Sequence, residues 1–158
     1  EDIKGSSALH IATGNNNASC ISLLIDAGAD VNAVNSRGVT ALHIASGCNN
    51  ASCIPLLIDG GADVNAVANI GCTALHIATG NNNASCIPLL IDGGADVNAV
   101  DDDGFTALHT ASHNNSLESV LSLTASGADT AMVCGTGATA LDLAREKGHT
   151  AIVDLLTK

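Results

Sequence analysis

Large aromatic side chains are almost missing from this sequence. Among its 158 residues there is no Trp, no Tyr and a single Phe, Phe105, although 46% of the residues are hydrophobic. A core must therefore be built from Ala, Leu, Ile, Val and Cys. Such small side chains suit thin layers of structure that pack closely on one another.

Basic residues are also scarce. Five Lys and Arg stand against 16 Asp and Glu, which gives a formal net charge of −11. Binding of nucleic acid needs clustered positive charge to neutralise phosphates, so we expect no nucleic-acid partner. Residues 137–158 contain equal numbers of acidic and basic side chains, so the excess negative charge lies in residues 1–136. That charge favours basic partners over acidic ones.

Long apolar runs and catalytic motifs are absent as well. No apolar run approaches the ~18–20 residues that span a membrane, so we expect no membrane insertion. The sequence has no Gly-rich phosphate loop and no nucleophile elbow. His113 and Cys134 are the reactive side chains outside the repeated pattern described below, and neither has an evident partner in the sequence. We therefore expect that the protein is not an enzyme and binds no cofactor.

Repetition is what the sequence has in abundance. A Gly-x-Thr-Ala-Leu-His motif begins at Gly38, Gly71 and Gly104, and close variants of it begin at Gly5 and Gly137. The spacing is 33 residues throughout, and residues 38–70 and 71–103 differ at only six positions. Self-similarity at such a period predicts a stack of small structural units.

Each unit has the same internal pattern. In the second unit, Ala41–Ala45 predicts a short helix, Gly47–Asn50 breaks it, and Ile54–Ile58 predicts a second helix with a broad apolar face. Gly60–Asp63 ends that helix, and Val64–Val67 is expected to run in extended form to a turn. Two helices of about ten residues cannot bury their apolar faces alone, so neighbouring units must stack.

Two prolines test where the second helix begins. Pro55 and Pro88 would cost about 3 kcal/mol in the middle of a helix. With a serine as N-cap, each proline falls at the third helical position, where its missing N–H has no intrahelical partner anyway. We therefore predict that Ser19, Ser52 and Ser85 are N-caps.

The Gly-x-Thr-Ala-Leu-His and Gly-Ala-Asp-Val-Asn-Ala motifs, at their period of 33, resemble the ankyrin repeat over the whole chain. The resemblance implies an all-α fold, an α-solenoid of stacked helix-turn-helix units joined by short β-hairpin loops. It divides a single domain, residues 1–158, into repeats 5–37, 38–70, 71–103, 104–136 and 137–158, with about ten helices in antiparallel pairs. Departures are local: Ala replaces the usual Pro of the motif, and the family's Gly-His pair between the helices survives only in the last unit.

The two ends of the array differ in character. The last unit is highly charged from Arg145 to Lys158, as expected of a terminal repeat that faces water. The first unit keeps interior-type residues and has no polar cap. We therefore expect the chain to be part of a longer array or a larger protein that continues on the amino-terminal side.

The repeated histidines invite a metal-site interpretation. His10, His43, His76 and His109 occupy equivalent positions, which in stacked units lie roughly 10 Å apart. Nitrogens at that separation cannot share a zinc ion, which needs bonds of ~2.0–2.1 Å. In the ankyrin family this histidine supports the turn before the first helix by hydrogen bonding. We expect that role here and no metal site.

Six cysteines raise the question of disulfides. Cys20, Cys53 and Cys86 repeat every 33 residues, too far apart for the ~4.4–6.8 Å between Cα atoms that a disulfide needs, and are expected in the core. Cys48 and Cys72 are irregular and expected to be partly exposed, as is Cys134. A Cys48–Cys72 bridge remains an alternative to six free thiols. Free thiols favour a reducing, cytoplasmic compartment.

Two sets of asparagines match patterns for covalent modification, and each set also has a structural interpretation. Asn17, Asn50, Asn83 and Asn114 match the N-glycosylation pattern, but the capping role predicted for the serines of three of these copies accounts for them without sugar. Asn32, Asn65 and Asn98 follow Asp-Val, and the ankyrin resemblance implies possible asparaginyl hydroxylation there. The simpler expectation, compatible with it, is that each Asn hydrogen-bonds the backbone of the turn.

We expect functional residues at positions that vary between the units, since stacking dictates the residues at the repeated positions. In the ankyrin family the hairpin tips and the ends of the first helices line a concave groove that binds partners. The matching variable positions predict these partner-binding residues: Ser36, Arg37, Val39, Cys48, Asn69, Ile70, Cys72, Asn81, Asp101, Asp102, Asp103, Phe105, His113 and Asn114.

Among these residues the acidic tip stands out. Asp101–Asp103 lacks the wider spacing of a calcium loop, which leaves a solvated acidic turn or a contact for a basic partner. We favour the contact, with Phe105 beside it as an apolar anchor. The predicted function is thus a monomeric protein-protein interaction module that binds a partner of basic and apolar character. The alternative is a structural spacer with no partner of its own.

Overall fold

The computed structural model describes residues 5–158 and is all-helical over that range. Its ten helices are α1 (Ala8–Gly14), α2 (Ala18–Asp26), α3 (Ala41–Gly47), α4 (Cys53–Asp59), α5 (Ala74–Gly80), α6 (Cys86–Asp92), α7 (Ala107–His113), α8 (Leu117–Ala125), α9 (Ala140–Lys147) and α10 (Thr150–Leu156). Two isolated antiparallel bridges, Val67–Thr73 and Val133–Thr139, are the β-pairing found in residues 5–158. The predicted helical solenoid is confirmed.

The helices form two layers. The odd-numbered helices pack in sequence on one another, and the even-numbered helices form a second row against them. Repeats 1 to 5 below are residues 5–37, 38–70, 71–103, 104–136 and 137–158. At the end of each of the first four repeats a hairpin tip leads into the first helix of the next repeat, so the tips line one edge of the stack.

The first helix of each repeat begins at the motif threonine or serine. In repeat 2 the Thr40 hydroxyl accepts a hydrogen bond from the backbone N–H of His43, and the His43 ring accepts one from the backbone N–H of Thr40. This reciprocal capping recurs in all five repeats, with Asp142 in place of histidine in repeat 5. It supplies partners to N–H groups that a helix start otherwise leaves unpaired.

The second helices confirm one prediction and correct another. Helices α4 and α6 begin at Cys53 and Cys86, which places Pro55 and Pro88 at the third helical position, as predicted. The prediction that Ser19 is an N-cap is wrong, because α2 already begins at Ala18 and the side chain of Asn17 caps it by accepting from the N–H of Cys20 at 3.0 Å.

Ser52 and Ser85 precede their helices but make no capping hydrogen bond. Their hydroxyls donate instead to the side-chain oxygens of Asn16 and Asn49 in the preceding repeats, at 3.0 and 2.8 Å. Both serines have helical backbone angles, which turn the hydroxyl away from the first N–H groups. Each serine hydroxyl therefore joins its repeat to the preceding one and does not cap its own helix.

The segment after the second helix is more compact than expected. Val64 and Asn65 form a turn rather than an extended run. The Asp63 carboxylate accepts from the N–H of Asn65 at 3.0 Å, and the Asp63 carbonyl accepts from the N–H of Ala66 at 3.2 Å. A short aspartate side chain favours such a turn over a strand.

The core runs the length of the stack between the two rows of helices. Its most buried side chains are leucines of the first helices and isoleucines of the second helices, with Cys53 and Cys86 fully enclosed beside them: Leu42, Leu75, Leu108, Ile21, Ile54, Ile87 and Ile152. The predicted core role of these two cysteines is confirmed, and Cys20 is half-buried. Burial raises the pKa of Cys53 and of Cys86 above the ordinary thiol value.

The expectation that Cys134 is partly exposed is wrong. It is 4% exposed, because its thiol lies inside the hairpin turn at the end of repeat 4, 3.1 Å from the Thr136 hydroxyl. Burial raises the pKa of Cys134, but hydrogen bonds from the Thr136 hydroxyl and from the backbone of Thr136 and Ala138 outweigh that effect and leave it below the ordinary value. Cys48 is exposed and Cys72 half-buried, as expected.

Candidate partner-binding groove

The repeated histidines join each repeat to the next. His43 Nε2 lies 3.1 Å from the backbone carbonyl of Cys72, and the other ring nitrogen accepts from the N–H of Thr40. The same pair of hydrogen bonds is made by His10, His76 and His109, whose Nε2 atoms reach the carbonyls of Val39, Phe105 and Ala138. Both nitrogens of each ring are therefore engaged and unable to ligate a metal.

Burial lowers the pKa of His43, His76 and His109, although the hydrogen bonds to backbone carbonyls act in the opposite direction. An accepting Nδ1 and a donating Nε2 require a neutral ring in one tautomer. Among residues 5–158 no group of three His, Cys, Asp or Glu side chains is arranged to hold a metal ion.

The hairpin tips are held in a row by backbone hydrogen bonds. The N–H of Asn69 donates to the carbonyl of Arg37 at 3.0 Å, and the N–H of Asp102 donates to that of Ile70 at 3.2 Å. In the same way, the N–H of Gly135 donates to the carbonyl of Asp103 at 2.8 Å. These hydrogen bonds join the successive tips into one row.

A concave apolar surface lies between the hairpin tips at 35–37 and 68–70 and the first helices of repeats 1 to 3. A cavity of about 470 Å³ is lined by Ile11, Arg37, Val39, Ile44 and Cys48, among other residues. A second cavity, of about 390 Å³, is lined by Arg37, Val39, Asn69, Ile70, Cys72 and Ile77. Because the two share Arg37 and Val39, they form one continuous depression, which we call the groove.

The structure thus brings six of the predicted residues to the groove: Arg37, Val39, Cys48, Asn69, Ile70 and Cys72. Ser36 is exposed on the same tip as Arg37 but does not line the cavities. The isoleucines at 11, 44 and 77 also line the groove and are absent from the predicted set. Their equivalent in repeat 4 is Thr110, and this variation was the signal that could have identified them.

The three aspartates of the acidic tip have different roles. The Asp101 carboxylate accepts from the N–H groups of Asp103 and Phe105, at 3.0 and 2.8 Å, and so closes its own turn. Asn35 does the same in the tip between repeats 1 and 2, accepting from the N–H groups of Arg37 and Val39. Asp101 therefore has a structural role in its own turn. Asp102 and Asp103 are exposed.

Phe105 is half-buried and packs edge-on against the ring of His109, with 5.7 Å between the ring centres. Neither Phe105 nor Asp102 lines the two cavities above. The acidic tip is nevertheless close to the groove: burial raises the pKa of Cys72, and the charges of Asp101, Asp102 and Asp103 raise it further. Cys72 connects the apolar depression with the acidic tip.

Three other candidates at the ends of first helices already have partners within the fold. The amide groups of Asn81 and Asn114 donate to the carbonyls of Gly47 and Gly80 in the preceding repeats, each at 3.3 Å. His113 is exposed, with Nδ1 3.0 Å from the side-chain oxygen of Asn114, and its carbonyl lies 3.0 Å from Nε2 of His149. These residues lie at the junctions between repeats.

Asn32 and Asn65 likewise span repeats. The Asn32 amide donates to the carbonyl of Gly61 and its oxygen accepts from the N–H of Asp63; Asn65 makes the same pair with Gly94 and Asp96. Asn98 accepts from the N–H of Asp129 at 2.8 Å. The predicted hydrogen bonding is present, and it reaches the next repeat rather than the residue's own turn.

A family model described as "Ankyrin repeats (3 copies)" matches residues 1–68 and 52–134. The chain belongs to the ankyrin-repeat family, whose members are generally protein-interaction modules and typically non-catalytic. No curated protein matches the sequence. Over residues 5–158, none of the helices has both the length and the apolar character needed to cross a membrane.

Proposed function

We propose that this chain is a protein-interaction module that binds a peptide segment of its partner along the groove. The observation that carries the proposal is the continuity of the two cavities through Arg37 and Val39. The wall between the tips and the first helices is apolar, built by Val39, Ile44 and Ile77. A depression of this size accommodates an apolar anchor side chain, the kind of contact that contributes most to peptide affinity.

The negative charge beside the groove favours a partner segment with a basic residue next to its apolar anchor. Asp102 and Asp103 are exposed, and their negative charge reaches Cys72, which lines the second cavity. With a formal charge of −11 on the chain, a cationic segment is attracted over long range and an anionic one repelled. The partner segment therefore combines an apolar side chain over Ile70 and Cys72 with Lys or Arg facing the acidic tip.

The exposure and backbone conformation of Ile70 also support binding of the partner at this end of the groove. Its side chain is 71% exposed at the edge of the second cavity, and its backbone φ is 74°. A left-handed conformation is unfavourable for a β-branched residue, and strained, exposed apolar residues cluster at binding sites. A partner side chain that packs on Ile70 covers surface the fold leaves in water.

Selection of random peptides displayed on phage, with the immobilised protein as bait, tests the proposal. Enriched peptides are synthesised and their affinities measured by fluorescence anisotropy. We expect enrichment of sequences that place Lys or Arg near a bulky apolar residue. Ile70→Ser should weaken them, and Asp102→Asn with Asp103→Asn should slow their association, more at low salt than at high salt.

Two matched controls separate the groove from general effects. Leu121→Ser removes a 47%-exposed apolar residue from α8, and Asp59→Asn with Asp92→Asn removes two exposed charges from the ends of α4 and α6. Neither should change peptide binding. Peptides that bind all variants equally, selection of acidic peptides, or no enrichment would each contradict the proposal, and the last would favour a structural spacer.

A further inference from the structure

Arg37 is the only Lys or Arg residue in the first four repeats. The other four in the sequence lie outside residues 5–136: Lys4, Arg145, Lys147 and Lys158. The side chain of Arg37 is exposed and lines both cavities of the groove. No Asp or Glu of residues 5–158 comes within 4.0 Å of its guanidinium, and the hydrogen bonds it makes in that range use its backbone alone. This positive charge is therefore available to a ligand in the groove.

Arg37 belongs to a row of equivalent positions whose chemical character changes from one hairpin tip to the next. At the spacing of 33 residues its equivalents are Ile70 and Asp103, and all three side chains are exposed. Backbone hydrogen bonds join the three tips, and stacked units repeat roughly every 10 Å. The row thus presents a cation, an apolar group and an anion at regular steps along the array.

The side chains that lean over the preceding tip keep the two charges of this row apart. Asp102 lies over Gly71, where a Cβ would be 2.6 Å from its Oδ1. The equivalent residue one tip earlier, Asn69, lies over Gly38, with 3.1 Å between its Oδ1 and a Cβ built there. A neutral amide therefore stands beside Arg37, whereas a carboxylate stands beside the apolar site of the next tip.

We infer that the partner segment pairs an acidic side chain with Arg37, places an apolar side chain on Ile70 and pairs a basic side chain with Asp103. The inference rests on the proposed function, to which it adds the acidic residue and the spacing. A guanidinium binds a carboxylate through two parallel hydrogen bonds. Elsewhere in the first four repeats no Lys or Arg is present to receive that carboxylate, so the contact fixes the position of the segment along the groove.

The step between the tips matches the period of an extended peptide. In the polyproline II conformation three residues make one turn and advance about 9 Å, so side chains three residues apart point the same way at nearly the spacing of the tips. An α-helix needs about seven residues for a similar advance. The matching sequence is acidic-x-x-apolar-x-x-basic in either chain direction, because the charges define the two ends of the groove and not the direction of the partner's backbone.

Fluorescence anisotropy with labelled synthetic peptides tests the inference. The peptides are Glu-Ser-Pro-Leu-Ser-Pro-Arg and its reverse, both with uncharged ends, and the tighter binder is the reference peptide. Replacing its Glu by Gln should weaken binding about twofold to fivefold, the range of exposed ion pairs. Peptides with two or four residues per step, and a helical peptide with seven, should bind more weakly than the reference peptide.

A charge exchange identifies Arg37 as the partner of the acidic residue. The measured quantity is the ratio of the affinities for the reference peptide and for its analogue with Arg in place of Glu, because this ratio cancels the general effect of the protein's net charge. Arg37→Glu should change the ratio about tenfold or more in favour of the Arg analogue. Lys158→Glu makes the same change in net charge at an exposed site outside the groove and should leave the ratio unchanged. Circular dichroism verifies that both variants fold.

The same ratio in the original protein and in Arg37→Glu would overturn the inference, as would tighter binding of the helical peptide. Binding that is weakened by Ile70→Ser, yet does not respond to Arg37→Glu, would overturn it while leaving the proposed function intact. Absence of binding by all of these peptides would also overturn it, and the phage selection then decides separately whether the groove binds peptides at all.

Discussion

His43 in repeat 2 donates a hydrogen bond from Nε2 to the backbone carbonyl of Cys72 in repeat 3, 3.1 Å away. The acceptor belongs to a residue that lines the groove, so the histidine positions the groove wall as well as the helix start. The same bond joins Nε2 of His10 to the carbonyl of Val39, a residue that lines both cavities, at 2.8 Å. Stacking and the shape of the binding surface therefore depend on one type of residue.

Stability should fall steeply on mild acidification. His43, His76 and His109 have pKa values lowered by burial, so the unfolded chain binds protons more readily than the folded one. Their contribution is complete above the unfolded pKa of about 6.5 and is lost as pH falls from there toward the folded values.

Each of these rings adds a slope of up to about 1.4 kcal/mol per pH unit, so the three together give at most about 4 kcal/mol per unit. Urea unfolding between about pH 7.5 and pH 5.5 measures it. His109→Gln should reduce the slope by about a third. A free energy of unfolding that stays level over this range would contradict the assignment of neutral rings.

Ile70→Gly should stabilise the protein relative to Ile70→Ala by about 1 kcal/mol, because alanine keeps the Cβ that makes a φ of 74° unfavourable. Both variants remove the exposed side chain equally, so the comparison isolates the backbone. Equilibrium unfolding in urea measures the difference. Equal stability of the two variants would show that the turn relaxes at no cost.

Asp101→Ala should destabilise the protein by about 1–2 kcal/mol, because two backbone N–H groups lose their acceptor. Asp101→Asn should be nearly neutral, since Asn35 performs the same role in the tip between repeats 1 and 2. Asp102→Asn with Asp103→Asn should leave the melting temperature unchanged or slightly raised, through reduced repulsion. Thermal unfolding of the three variants distinguishes the structural carboxylate from the exposed ones.

Ser116→Asn should stabilise the junction of repeats 3 and 4 by about 1 kcal/mol. The Ser116 hydroxyl is buried and has no hydrogen-bond partner among residues 5–158, whereas the equivalent Asn50 and Asn83 donate to carbonyls of the preceding repeat at 2.8 and 2.7 Å. The reverse change, Asn83→Ser, should cost a similar amount or more. Urea unfolding curves of both variants measure these changes in the free energy of unfolding. Stabilisation by both substitutions would contradict the proposed role of the asparagine at the junction.

All six cysteines carry free thiols in the structure, with Cys48 the exposed one. In native protein Cys48 should therefore react fastest with a thiol reagent, and Cys53 and Cys86 slowest, since burial raises their pKa values. Cys48→Ser should remove the fast phase. Titration of denatured, unreduced protein should return six groups, and a lower number would reveal a disulfide.

The fold was predictable because its determinants are local and repeated. A glycine after the tip, a proline at the third helical position and an apolar face each depend on a few neighbouring residues, and the period of 33 multiplies the signal. The roles of Asp101 and Asn81 were not predictable in this way. Whether such a side chain turns to the solvent or to a carbonyl of the preceding repeat depends on distances that a sequence does not contain.

The groove was predictable only in part. Arg37, Val39, Ile70 and Cys72 vary between repeats and were predicted from that variation, whereas Ile44 is identical in repeats 1 to 3 and was not predicted. Phe105 was predicted to be the apolar anchor, but its ring packs against His109, whereas the side chain of Ile70 is 71% exposed. Concavity arises from how repeats curve together, which no single repeat encodes.

The hydrogen bonds between repeats join residues at constant offsets: 29 positions for the histidines and 37 for the loop asparagines Asn50 and Asn83. A duplicated unit placed between two others therefore meets suitable partners on both sides at once. Unequal recombination can lengthen or shorten such a gene by whole repeats without passing through a form that orphans buried polar groups. The near-identity of residues 38–70 and 71–103 fits a protein whose length is easily changed in evolution.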